Sequence, residues 1–184
     1  MSTTYDPFKF FPNDVLTHSE GKPTRASLTL LKRELKENAR AIHSTRGTGN
    51  RGLERLLYDP QVYNARPAMA NRPFVDPIHP GVTPEIPPGS LGPAISRILS
   101  AHTAALNDFT VFHSTDTALK KQAMQAVPTT YYKILEDPEE GFADITLLEF
   151  IDHLDTTHGS ITTDKPEANL TNHNNQHHNT TNTT

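Results

Sequence analysis

The stretch "TRASLTLLKRELKENARAIHSTRGTGNRGLERLL", residues 24–57, poses the choice of fold. It contains GTGNRG, Gly47 to Gly52, which matches letter for letter the G-x-G-x-x-G of dinucleotide-binding folds. That fingerprint works only between a strand and a helix, with an acidic residue about twenty positions on to hold the ribose. Here the residues before the glycines repeat differently: Leu28, Leu31, Leu35, Ala39 and Ile42 recur at spacings of three and four, with charged residues between them. The spacing predicts an amphipathic helix from Thr24 to about Thr45, capped by Thr24 or Ser27. After the glycines comes only the short apolar GLERLLY, and positions 70–75 are proline-rich with Asp76 the nearest acid. The motif reads as a flexible loop between helices, and the chain as mainly α rather than α/β.

Outward from this segment the same logic holds. Residues 1–23 carry no helical stripe and form an irregular arm, with Phe8, Phe10 and Phe11 available to dock it. Asp59-Pro60 is an N-cap and N1 pair opening a short helix toward Tyr63. Eight of the 15 prolines fall from Pro67 to Pro93, so residues 67–93 read as an extended proline-rich connector. Leu91, Ile95, Ile98, Leu99, His102, Leu106, Phe109 and Phe112 then mark the longest helix, with Ser90 as its cap and Pro93 in its first turn. A turn and a second helix capped by Thr115 or Asp116 follow, ending at Pro128. Thr146 and Glu149 form a capping box for a last helix with Leu147, Phe150, Ile151 and Leu154 on one face and Gly159 as terminator. The fold expected for residues 24–161 is a small helical bundle, and residues 162–184, rich in Asn, Thr and His, read as a disordered polar tail.

Composition narrows the function. With 34% hydrophobic residues the core is modest, and the absence of cysteine removes disulfides, zinc knuckles and thiolate chemistry. The first residues lack the pattern of a signal peptide and no stretch approaches ~20 apolar residues, so a soluble cytoplasmic protein without membrane contact is expected. The sequons at Asn169, Asn179 and Asn182 are then expected to stay unmodified. Between Lys22 and Arg55 nine cations stand against Glu34, Glu37 and Glu54, a net +6 in a chain whose total is −4. Weak RNA contact through Lys32, Arg33, Lys36, Arg40, Arg46 and Arg51 is therefore a candidate role, although no aromatic residue is interleaved for base stacking. Glu149, Asp152, Asp155 and His158 could line one side of a helix as metal ligands, but a polar helix face accounts for them more simply; His173, His177 and His178 in the tail offer at most a weak site. No H-E-x-x-H, G-x-S-x-G or phosphate-loop motif occurs, so no catalytic residue, cofactor, metal or small-molecule substrate is assigned.

From about residue 21 to 162, "TRASLTLLKRELKENARAIHSTRG", "RLLYDPQVYNA", "PFVDPIHPGVTPEIPPG", "ALKKQAMQAVPTTYYKIL" and "GFADITLLEFIDHLDTTHGSIT" resemble, in the same order, the Gag-like region of copia-type LTR retrotransposon polyproteins. The resemblance implies a non-catalytic helical structural protein that associates with its own copies and builds a particle in which RNA is packaged. Beyond GSIT the family continues into further helices and a Pro-Trp-Asp segment; this chain has no tryptophan and passes into its polar tail, which fits a truncated Gag-like protein. Phe109, Phe112, Tyr131 and Tyr132 are the candidate self-association residues.

Overall fold

The computed structural model describes residues 5–159, and the expectations placed on the tail, its histidines and its sequons lie outside them. The protein is mainly helical. Among the described residues four α-helices, α1 Arg25–Ala41, α2 Pro60–Asn64, α3 Gly92–Ala126 and α4 Leu147–His158, are joined by loops and short 3₁₀ turns. Among the described residues there is no strand, only an isolated bridge between Asp137 and Gly141.

Three of the helix starts follow the sequence signals. Thr24 and Ser27 cap α1 reciprocally, each side chain accepting the other's backbone N–H. Asp59 accepts from the N–H groups of Gln61 and Val62 ahead of Pro60. Thr146 and Glu149 form the capping box of α4. At α3 the cap is Leu91, while the Ser90 hydroxyl donates to the Pro87 carbonyl at 2.7 Å, so Ser90 shapes the connector instead.

The expected turn between two helices near Ser114 is absent, and α3 runs unbroken for 35 residues, about 52 Å at 1.5 Å per residue. The polar residues that suggested a cap serve elsewhere. The Thr115 hydroxyl, fully buried, donates to the Val111 carbonyl one turn back at 2.7 Å, and Asp116 accepts the first N–H of α4, from Leu147, at 3.3 Å.

The core forms where α1, α4 and the C-terminal part of α3 meet. Leu35 and Ala39 from α1, Leu119 and Ala123 from α3, and Leu147 and Phe150 from α4 are wholly buried there. Each large apolar side chain so buried stabilises the fold by about 1.5–3 kcal/mol relative to exposure. The 3₁₀ turn Glu54–Leu57 packs against α1 and α4 from one side. On another, the N-terminal arm is part of the domain: Phe11 and Leu16 join the core, whereas Phe8 and Phe10 remain exposed. Asn38 and Gln122, both buried, hold the arm by hydrogen bonds to the backbone of Asn13 and Asp14.

The glycine loop is a packed joint rather than a flexible link. Gly47, Gly49 and Gly52 all have positive φ. A Cβ at Gly52 would lie 2.5 Å from the carbonyl oxygens of Arg40 and Ile42, so only glycine lets the backbone seat against the end of α1.

The two ends of α3 differ sharply. From residue 75 through 111 only Pro77 is buried, and Phe112 is the first buried residue of the helix. Val111 packs against the core from its edge, and the nineteen residues of α3 before it, about 28 Å of helix, contribute no side chain to the core.

Candidate functional site

Among the described residues, four of the seven ion pairs converge on Glu54. This residue sits in GLERLL, an apolar run whose Leu53, Leu56 and Leu57 face the core, and its side chain is 0% exposed. Four cations from three segments converge on it: Lys36 and Arg40 of α1, Arg51 of the glycine loop, and Arg66 after α2. Arg40 Nε donates to Oε2 at 2.8 Å and Arg51 approaches the same oxygen at 3.4 Å; Arg66 donates to Oε1 at 3.1 Å, with Lys36 Nζ at 3.2 Å. Burial alone would raise the carboxyl of Glu54, but hydrogen bonds and charge from Arg40 and Lys36 outweigh it and hold the group below the ordinary glutamate value. One carboxylate cannot balance four cations, so the cluster carries net +3, with its side chains 28–43% exposed. Tyr58 adjoins it: the Arg66 guanidinium lies 4.0 Å above its ring and Lys36 6.0 Å away.

The six basic residues proposed from the sequence therefore separate. Lys36, Arg40 and Arg51 come together over Glu54, joined by Arg66, which lies beyond the basic segment. Lys32 instead bridges to Asp155 of α4 at 2.8 Å, and Arg46 binds Asp108 of α3 at 3.1 Å and the Val75 carbonyl at 3.0 Å. Arg33 is exposed and lies apart from the cluster. Arg55, the last cation of the segment, is buried against Asp76 at 2.6 Å. Three acids from the acidic remainder of the chain thus cancel half of the local +6, pairings that a count along the sequence does not register. The missed members were Glu54, Arg66 and Tyr58; a lone carboxylate inside the apolar GLERLL was the available signal for the first.

The proposed association residues need correction. Phe112 and Tyr132 are core residues, 8% and 4% exposed: α3 turns Phe112 toward Phe74, and the 3₁₀ turns after α3 set Tyr132 against Phe150. Phe109 and Tyr131 are half-buried, Phe109 against His79 and His113 and Tyr131 against His158. Seven of the twelve exposed large apolar side chains among the described residues lie instead on the connector and the first part of α3, at Val75, Ile78, Val82, Ile86, Leu91, Leu99 and Leu106.

The acids of α4 have separate duties. Glu149 caps its own helix, Asp155 holds Lys32, and Asp152 is exposed. Among the described residues no three His, Asp or Glu side chains are grouped closely enough to hold a metal ion. An open groove of about 790 Å³ runs beside Lys120, Met124, Val127, Tyr132 and Phe142. Its central polar group, the Lys120 ammonium, is already spent on the carbonyls of Phe142, Ala143 and Ile145 at 2.9, 3.0 and 2.6 Å, so it acts as a strut for that loop. No helix among the described residues is long and apolar enough to cross a membrane.

Comparison with models of protein families, with curated proteins and with solved structures finds no match to this chain.

Proposed function

We propose that this protein is a non-catalytic structural component that associates with copies of itself, the role implied by its resemblance to Gag-like proteins. The observation that carries the reading is the first nineteen residues of α3, a stretch of helix without a core beneath it, flanked by a connector rich in exposed apolar residues. Helices in proteins take most of their stability from packing one face on a partner rather than from intrinsic propensity. A second copy suits this face for two reasons. Residues 77–107 carry only Glu85 and Arg97 as full charges, so pairing like with like brings little repulsion. Leu99 and Leu106 lie seven residues apart on one side of α3, and a two-fold axis between His102 and Thr103 sets each Leu99 opposite Leu106 of the other copy.

Light scattering over a wide concentration range tests this. The expected result is a mass that rises with concentration and falls to the monomer value in a Leu99→Glu, Leu106→Glu double variant. Both leucines are over a third exposed, so the fold itself is expected to tolerate the change. A wild-type protein that remains monomeric at every concentration overturns the proposal.

A further inference from the structure

The geometry points to a second, independent site: Lys36, Arg40, Arg51 and Arg66 form a receptor for a compact polyphosphate, organised by the buried carboxylate of Glu54. Glu54 gathers the four charged ends at one place, whereas side chains of like charge left alone would spread apart. It uses only part of their bonding capacity. Arg40 gives it Nε alone, and Arg51 and Arg66 each give one terminal nitrogen. Arg66 also meets the side chain of Tyr58, but among the described residues no other acceptor takes the remaining guanidinium N–H groups of Arg40 and Arg51, and all four side chains are partly open to solvent. Arg66 is further held by the faces of Tyr58 and Tyr63, at 4.0 and 4.8 Å, which limits its freedom before any ligand arrives. A preset group of guanidinium forks is the arrangement that recognises phosphate oxygens most strongly.

The shape decides the class of ligand. Cations that reach one carboxylate form a patch, whereas a nucleic-acid backbone spaces its phosphates along a track. Lys32 and Arg46, which could have extended the patch into a track, are turned away to Asp155 and Asp108. Net +3 concentrated at one point matches adjacent phosphates carried on a single small molecule.

The test is calorimetric titration of the full chain with inorganic tripolyphosphate, with a single-stranded oligonucleotide in a second arm, each at two salt concentrations. Tripolyphosphate is expected to bind more tightly than the oligonucleotide does per phosphate, and to raise the thermal midpoint of the protein. Arg51→Gln, whose contact with Glu54 is the longest of the four, and Arg40→Gln are each expected to weaken binding about tenfold. Arg25→Gln, which removes the same charge from an exposed position at the other end of α1, is expected to change it less than twofold. An equal loss in all three variants, tighter binding of the oligonucleotide, or no heat and no thermal shift with tripolyphosphate each overturns the assignment. Circular dichroism of the variants separates lost binding from lost fold.

Discussion

The backbone N–H of Leu53 donates to the carbonyl of Ala39 at 2.9 Å, and this bond folds the glycine loop back onto the end of α1. It joins the residue after Gly52 to a helix carbonyl that would otherwise lack a partner. It also sets Glu54, the next residue, beneath Arg40 and Lys36.

Gly52→Ala is therefore expected to be among the most damaging single changes. A side chain at φ +53 costs about 1–2 kcal/mol by itself, and the 2.5 Å approach to two backbone carbonyls, which cannot move aside, takes the total above about 3 kcal/mol. At Gly49 the φ is +75 but the nearest atom is 3.4 Å away, so Gly49→Ala should cost about 1 kcal/mol. Urea midpoints of the two variants provide the comparison; equal losses would contradict a close-packed joint at Gly52.

Replacing Glu54 by Gln keeps the shape and removes the charge that gathers four cations. The expected loss is about 2 kcal/mol, below the usual range for a broken buried ion pair, because the cations can turn to water. The acid dependence carries a sign. The folded-state pKa of Glu54 lies below the unfolded value, so its contribution is present above about pH 4.5 and is lost as the pH falls through the folded-state value. Asp76 and Asp116, raised by burial, act oppositely and favour the folded state as they protonate. Unfolding curves of wild type and Glu54→Gln should therefore converge as the pH drops below about 4.5. Curves that stay parallel would show that Glu54 is not the titrating group.

Lys120→Met should uncouple the loop before α4. The substitution keeps the apolar stem and leaves three carbonyls without their shared donor, a loss of about 2 kcal/mol given that loop carbonyls can recruit water. For a chain of this size the melting temperature should fall by about 4–8 °C. Unchanged melting would mean that the ammonium is not holding the loop.

Asn38→Ala should loosen the arm before it unfolds the bundle. Asn38 accepts from the Asn13 N–H and donates to both the Asn13 carbonyl and Gln122 Oε1, so its loss removes two bonds to the arm and the brace that orients Gln122, the other side of the anchor. Limited proteolysis is expected to cut residues 12–22 several times faster than in wild type, with the helices still folded. Cleavage at wild-type rate would place the arm's anchorage in Gln122, Glu34 and the buried Phe11 and Leu16 instead.

Local chemistry carried much of the structure in advance. The helical class, the caps of α1, α2 and α4, and the dismissal of a nucleotide fold at GTGNRG all follow from spacing and capping within a few residues. The misjudged residues were those with two available local roles. Thr115 and Asp116 resemble a helix start, yet the hydroxyl bonds back within α3 and the carboxylate caps α4, an element about thirty residues later. Phe112 and Tyr132 carry no mark that separates a core aromatic from an exposed one.

The sequence by itself determined that this chain is helical, where most of its helices begin, and that a basic segment follows the arm, because each depends on neighbours one or two turns away. Only the tertiary structure decided which charges remain free and which apolar faces are covered. Asp108, Asp155 and Asp76 neutralise Arg46, Lys32 and Arg55 from 62, 123 and 21 residues away, while Glu54 draws four other cations into one excess. Electrostatic attraction and burial act through space, and the distance along the chain does not enter either.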